Sequence, residues 1–521
     1  MIKQISIELK PEQINNDALI RKIAARKCKI IENDIKAIKY IKRSLDARSS
    51  KPKYLLNMNV FIGEFSPNTD ESYHNLKYVD SSSKKVIIIG AGPAGLFAAL
   101  ELLKFGIKPI ICERGKDIRN RRKDLKLIMQ KGVINPNSNY CFGEGGAGSY
   151  SDGKLFTRSH KKGIVYNILQ ALVHFGASQD ILIDAHPHIG SDLLPKVIES
   201  MRNIIVDKGG ELHLSAIIDD ILIKDGYAIG VHTADGRELV GEAVILATGH
   251  SAKDIYYLLS SKGLALKCKA YAIGFRIEHE QELINEIQYG TQASCLLPPA
   301  EYKLAVQVNG VGVYTFCMCP GGIIVPSATY SNELVVNGMS MSRRGGRFAN
   351  SGIVTSVDGN DFKEYSRYGE LAGLEFRNEI ERKFYLGCEE NLLKAPAQRL
   401  IDYISGKTSI SLHESSYIPG LQSCELHRML PWQIAERLRL GLRSFGKKMR
   451  GFITFESNLI GLESRTSSPV RIPRNAENFE HIQIRNLYPC GEGSGYAGGI
   501  ISSAIDGQNA AKMICKKLNL F

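Results

Sequence analysis

KKVIIIGAGPAGLFAALELLKFGIKPIICERG, residues 84–115, decides the fold. The run Val86 to Ile89 carries no charge and is β-branched, which predicts a strand buried on both faces. It ends on Gly90-Ala91-Gly92-Pro93-Ala94-Gly95, an apolar helix follows, and a second buried strand closes on Glu113. Strand, glycine turn, helix and strand within about thirty residues make one βαβ unit of the dinucleotide-binding kind. Such a turn brings the amides of a helix N-terminus against a pyrophosphate, and glycine supplies both positive φ and close backbone approach. Glu113, with Arg114 beside it, stands where the ribose would lie. A carboxylate there accepts both hydroxyls and repels a 2′-phosphate, which favours FAD or NAD over NADP.

An NAD site needs nothing further, yet a second glycine-rich segment lies far along the chain, YPCGEGSGYAGGI at residues 488–500. Gly491 and Glu492 follow a strand, where an acid can hold a ribityl chain. Gly498 and Gly499 lead into a helix at Ile500 whose amides and positive dipole end would face the flavin N1 and C2 oxygen. Residues 142–154, FGEGGAGSYSDGK, offer Gly145, Gly146, Gly148 and Ser149 for another close approach, and the turn Ala247-Thr248-Gly249 adds Gly249. The expected cofactor is one FAD, held without a covalent link by these residues and by Gly90, Gly92, Pro93, Ala94, Gly95, Glu113 and Arg114.

GAGPAG with ERG, FGEGGAGSYSDGKL, ATGHSA, CMCPGG, NGMSMSRRGGRFANSG, ESRTSSPVRIPR and YPCGEGSGYAGGI occur together over nearly the whole chain. In this combination the sequence resembles bacterial FAD-dependent dehydrogenases, NAD(P)/FAD-dependent oxidoreductases whose flavin domain is related to the glutathione-reductase-like flavoproteins. The resemblance implies one FAD and an oxidoreductase, and implies no substrate. No second βαβ unit for a nicotinamide and no CxxxxC redox pair is read, so NAD(P)H acting as transient donor would reach the flavin without a Rossmann domain of its own.

Candidates for the substrate side lie between the two flavin segments. Cys317 and Cys319, in CMCPGG, are either a thiolate that attacks flavin or substrate, or buried structural cysteines. Arg343, Arg344 and Arg347 sit in SRRGGRFANSG, and Arg465 and Arg471 in ESRTSSPVRIPR. Guanidinium groups on such loops either grip a carboxylate or phosphate or form ion pairs within the protein. His250 is either a proton donor or a residue ahead of a helix cap at Ser251. No metal-ligand set is read.

The fold class expected is α/β: a discontinuous Rossmann-like FAD-binding domain, residues 84–265 and 481–521, with an inserted α+β substrate or cap domain at 266–480. A basic α+β domain at 1–65 and a linker at 66–83 precede it. In the first domain, residues 2–9 alternate like a strand, 15–28 read as a helix, and 36–45 and 54–62 as strands. Tight turns at Asp225-Gly226 and Asp235-Gly236 join short strands. The insertion shows strands at 270–277, 304–317 and 333–339 and helices at 362–386 and 431–450. With 521 residues, 44% hydrophobic and 23% charged, the chain supports several cores and no long disordered region.

The formal charge is +13, and residues 1–53 hold fourteen Lys or Arg against six Asp or Glu. That patch is a solvated face or a site for an acidic or nucleic-acid partner. Eleven scattered cysteines fit a reducing compartment, and neither a leader nor an apolar run of about 18 residues is read, so a cytoplasmic protein without a membrane span is expected. The function expected is hydride transfer between flavin N5 and a small, anionic substrate or NAD(P)H. The alternatives are a flavin-dependent enzyme modifying tRNA or other nucleic acid, and a FAD protein with a structural or sensory role.

Overall fold

The computed structural model describes residues 1–48, 51–63, 75–155, 162–290, 296–388 and 393–520. The first unit is a three-stranded antiparallel sheet in the order Ile2–Leu9, Lys53–Ile62, Ile35–Asp46, with the helix Asp17–Cys28 across it. Alternation along the strands turns Ile7, Leu9, Leu56, Met58 and Val60 toward Ile20, Ala24 and Cys28 of the helix. Asn16 caps that helix by accepting the Leu19 N–H at 3.0 Å. Of the stretch read as a linker, residues 66–74 lie outside the described residues. Leu76 and Val79 are buried in the next core, and the Val79 N–H donates to the Lys208 carbonyl at 2.9 Å.

The second unit is a five-stranded parallel sheet in the order Leu487–Pro489, Ala243–Leu246, Lys85–Ile89, Lys108–Glu113, Glu211–Leu214. Successive residues of its central strands feed different cores. Val86, Ile88, Ala243 and Ile245 face the layer holding helices Pro93–Lys104, Leu194–Asp207 and Ile500–Lys517. Ile87, Ile89, Val244 and Leu246 face the meander Ile218–Lys224, Tyr227–Thr233, Glu238–Val240. Burial on both faces is why these strands read as unbroken apolar runs. Glycines set the spacing of the layers: a Cβ on Gly95 would lie 2.0 Å from the Gly90 carbonyl oxygen, and one on Gly507 2.0 Å from that of Ala94. Asp225 (φ 52°) and Gly226 (φ 79°) form the positive-φ turn of the first meander hairpin.

The inserted region folds as a seven-stranded sheet in the order Ala305–Val308, Val311–Cys319, Phe348–Val357, Tyr271–Glu280, Asn458–Glu463, Ala395–Arg399, Leu421–Ser423. Its strands pair antiparallel except for the last two. Ile273, Phe275 and Ile277 point into a core shared with helices Ala372–Leu386 and Trp432–Lys448. The single strand expected at 304–317 is a hairpin turned by Asn309 and Gly310, both at positive φ. The strand expected at 333–339 spans Val336–Met339 and pairs with Ile323–Pro326 outside the large sheet. The helix expected at 362–386 begins as a 3₁₀ segment, Lys363–Leu371, broken at Gly369 before it turns α-helical.

Candidate functional site

The C-terminal ends of the parallel strands face the inserted sheet across a cleft of about 2210 Å³. Open α/β sheets bind ligands at this end. The cleft holds Gly90, Gly92, Pro93 and Ala94 after one strand, Glu113 and Arg114 after the next, Gly249 and His250 after a third, and Gly491 and Glu492 after the edge strand. Gly146, Gly148, Gly498, Gly499 and Ile500 complete this wall. Segments far apart in sequence therefore share one space.

Two helices open on it. Pro93–Lys104 starts from Gly92 and Ile500–Lys517 from Gly499, and no side chain caps either one. Their first amides are left for something in the cleft. The surroundings fit a dinucleotide. A Cβ on Gly90 (φ 107°) would lie 2.4 Å from the Ala247 carbonyl oxygen, so only glycine lets these two strand ends close together. Gly92 and Gly146 face each other, with a Cβ on Gly146 falling 3.2 Å from the Gly92 Cα. A Cβ on Gly249, Gly498 or Gly499 would meet nothing within 4 Å, which leaves a backbone-lined hollow at that end. FAD, a pyrophosphate with an aromatic group at each end, suits a hollow bounded by two helix N-termini.

Three residues expected to touch the cofactor do not line the cleft. Gly95 packs against Gly90. A Cβ on Gly145 would lie 2.1 Å from Ser149 Oγ and 2.4 Å from Ile198 Cδ1, and Ser149 is itself fully buried. All three shape the turn from behind. Glu113 reaches the wall, but its oxygens accept the N–H groups of Ala91 (2.9 Å), Gly115 (2.9 Å) and Gly143 (3.0 Å). It ties the glycine loops together and keeps little capacity for a ribose. Arg114 pairs with Asp254, and its guanidinium lies over the Phe142 ring at 4.5 Å.

Arg121 was not singled out from the sequence, where it stands among the basic residues of an amphipathic helix. It is fully buried, and it donates to the carbonyls of Asn139, Tyr140, Gly143, Glu144 and Gly146 at 2.8–3.2 Å. One guanidinium thus fixes the whole glycine loop. Burial away from a paired carboxylate lowers its affinity for the proton. The signal in the sequence was Arg121 falling on the apolar face of its helix with Ile118, Leu125 and Ile128.

Of the remaining candidates His250, Cys317, Cys319, Arg344 and Arg465 border the cleft, while Arg343, Arg347 and Arg471 are not among its lining residues. His250 Nδ1 is 3.5 Å from Glu492 Oε1, and its Nε2 is buried without a partner among the described residues. The helix after it begins at Lys253 with Ala252 as N-cap and no side-chain cap, so Ser251 does not cap it. Cys317 sits at φ 42° in a bulge of its strand. A regular strand would turn both cysteines to one side; the bulge leaves Cys317 open to the cleft and Cys319 buried. Desolvation pushes the buried Cys319 thiol up to about 11, more than Arg276 and Lys154 offset, and the surrounding protein shifts the Cys317 thiol upward as well. Neither is a thiolate at neutral pH.

The two substrate-side arginines at the cleft are ion-paired. Arg344 (φ 49°) reaches Asp152 at 2.5 Å and Glu301 at 2.6 Å. Arg465 reaches Glu333 at 2.7 Å and Glu381 at 2.8 Å and also donates to Thr329 Oγ1 at 3.1 Å. Burial alone would raise the Glu381 carboxyl, but Arg465 and Arg377 hold it well below its usual range. Arg343 is exposed, Arg347 pairs with Glu280 and Glu414, and Arg471 lies over the Tyr496 ring. Among the described residues, no group of three or more His, Cys, Asp or Glu gathers to hold a metal, and no helix is long and apolar enough to cross a membrane.

Residues 1–61 match a domain of unknown function, residues 83–124 an FAD binding domain, and residues 270–466 the family described as FAD-dependent protein, C-terminal domain-like. An uncharacterized protein of Clostridium beijerinckii is 38% identical over 524 residues, covering 96% of each chain. The chain belongs to this family of FAD-dependent proteins. As a member of the FAD-dependent family it is a flavoprotein of the oxidoreductase type, with FAD as its cofactor. A phytoene desaturase (neurosporene-forming) of Rhodobacter capsulatus is 37% identical over 60 residues, 11% of this chain and 12% of that protein. An E. coli quinol fumarate reductase is 13% identical with a TM-score of 0.38, the match covering 84% of this chain and 70% of that one. A geranylgeranyl bacteriochlorophyll reductase-like protein from Thermoplasma acidophilum is 12% identical with a TM-score of 0.33, covering 85% and 80%. Likeness at that level says nothing of a substrate for this member of the FAD-dependent family.

Proposed function

We propose that the chain is a FAD-dependent dehydrogenase of the glutathione-reductase-like kind, whose dinucleotide domain is split by the insertion and whose inserted domain receives an organic substrate. The observation that carries this reading is the pair of uncapped helix N-termini at Gly92 and Gly499, which open on one cleft large enough for more than a cofactor. Single small-molecule pockets measure roughly 300–1000 Å³. FAD supplies the two-electron redox chemistry when bound.

The residues divide the work. Gly90, Gly92 and the amides at Ala94 take the pyrophosphate, and Arg114, held by Asp254 and Phe142, walls the adenosine end. Gly498, Gly499 and the amides that open the last helix would hold the isoalloxazine end, where a helix N-terminus favours negative charge. Glu492 would hold the ribityl side and positions His250, whose unpartnered Nε2 would carry a proton. Cys319, buried and protonated at neutral pH, packs rather than reacts, while Cys317 faces the cleft as a thiol. The anaerobic absorbance of the purified protein tests the reading. Flavin bands that bleach with NADH or NADPH make it a nicotinamide-linked reductase, and bands that bleach only with an organic donor make it a dehydrogenase proper. Bands that no donor bleaches sink it.

A further inference from the structure

The N-terminal domain is not tethered beside the rest of the molecule; it is built into the cleft. The Arg43 N–H donates to the Ile183 carbonyl at 2.6 Å, and the Arg43 carbonyl accepts the Ala185 N–H at 2.9 Å. The Arg43 side chain meets Asp184 at 2.7 Å and Asp180 at 3.0 Å. Next to it, Leu45 and Tyr54 line the cleft while packing on the core of the inserted domain. Across from them is Tyr289, within electrostatic reach of both Tyr54 and Glu301. The end of the cleft closed by this domain therefore carries an aliphatic and aromatic strip, Leu45, Tyr54 and Tyr289, beside the polar Asn15 and His186, and the Arg43 guanidinium is matched by two aspartates.

Charge appears further in. Glu301 is 2.6 Å from Arg344, and Arg344 is 2.5 Å from Asp152, whose other oxygen accepts the Ser340 hydroxyl. Two carboxylates thus match Arg344 and leave it no net attraction for an anion. Lys154 differs. Its ammonium has only a long contact with Asp152, 3.6 Å, among the salt bridges of the described residues, and it borders the cleft close to Cys317. Lys154 balances the second carboxylate of this cluster, yet without a close carboxylate its ammonium keeps donors to offer an anion.

We propose that the substrate is an amphipathic carboxylate, with its acidic end at Lys154 and its apolar body in the end of the cleft walled by Leu45, Tyr54 and Tyr289. This rests on the oxidoreductase reading of the cleft, and it makes the N-terminal domain a selector of substrate rather than a separate binding module. It also replaces the small substrate expected from the sequence with a longer one, which a cleft of about 2210 Å³ accommodates beside a dinucleotide.

The test is equilibrium binding to the purified flavin-loaded protein, read as a perturbation of the flavin spectrum and by calorimetry, with dodecanoate, dodecanol and acetate as probes. Dodecanoate is expected to bind and acetate not to. Lys154→Gln should weaken dodecanoate about tenfold or more while leaving dodecanol unchanged, and Leu45→Ser should weaken both by about tenfold. Flavin content and melting midpoint, measured on each variant, separate a lost contact from a lost fold. Dodecanoate binding no tighter than acetate, or binding that neither variant alters, overturns the proposal. Flavin that bleaches with a donor while dodecanoate fails to bind removes this inference alone; tight dodecanoate binding on a flavin that no donor reduces removes the dehydrogenase reading and keeps the site.

Discussion

On the dinucleotide side of the cleft the surface is main chain: Gly92, Gly146, Gly249, Gly498 and Gly499 leave amides and open space where side chains would stand. On the inserted side the surface is side chain, and its buried arginines are already matched, Arg344 by Asp152 and Glu301, Arg465 by Glu333 and Glu381. A wall made of backbone accepts the one shape that its φ angles allow. A wall made of ion pairs keeps its form through partners that must all be present. The first kind recognises a constant cofactor and tolerates almost no change; the second can be re-specified one pair at a time, which suits a substrate.

The largest effect should come from breaking the second wall. Arg465→Met removes the cation that Glu333 and Glu381 share, leaving Glu333 to Lys253 and Glu381 to Arg377, and chemical denaturation should show a loss of up to about 3–5 kcal/mol, with FAD still bound by the protein that remains folded. Loss of FAD from that folded fraction would mean the two walls are not separable. Next is Gly90→Ala. Its Cβ collides with the backbone at Ala247 and its φ is strained, so a cost of about 2–4 kcal/mol is expected, and here the flavin absorbance should disappear as well.

The inserted domain should also hold a pH dependence that the glycine wall lacks. His279 is fully buried; its Nε2–H donates to the Phe452 carbonyl at 2.8 Å, and its Nδ1 has no partner among the described residues. Desolvation lowers its proton affinity to about 4, against about 6.5 in the unfolded chain. As pH falls the unfolded chain binds this proton first, so the contribution is complete above about pH 6.5 and is lost on the way down to about pH 4, up to roughly 3 kcal/mol. Urea denaturation across that window should show the slope, and His279→Gln should flatten it. The smallest stability change belongs to the flavin end. Gly499→Ala meets no atom and costs only its φ of 145°, about 1–2 kcal/mol, yet its methyl group enters the hollow and should lower FAD affinity. Gly498→Ala, without the positive φ, is the control for stability.

The dinucleotide half was legible because its requirements are local. Residues 84–113 need apolar burial on both faces and glycine at fixed places, and both leave marks in a short window. The N-terminal domain was legible for a related reason, since its strands alternate and its helix starts at a capping Asn. What escaped depends on partners distant in sequence. Phe348–Val357 became a central strand although Asn350, Ser351 and Gly352 give its first half little strand character; its neighbours on both sides provide the pattern. Arg121 looked like one more surface cation until the carbonyls of residues 139–146 closed around it. The arginines of the insertion raised the right question, but only the fold could show which acids answer them.

The parallel sheet is completed by Leu487–Pro489 lying against Ala243–Leu246. A ribosome adds about 5–20 residues per second, so a wait on the order of tens of seconds separates the emergence of these two strands. Throughout it, Val244 and Leu246 present an unpaired edge, and the nascent chain has Gly90 and Gly92 but not Gly498 and Gly499. The flavin hollow cannot close before the inserted domain has been made. Cells that express this protein must therefore shelter a half-built sheet during every round of translation, and free FAD can act as a folding ligand only at the last step.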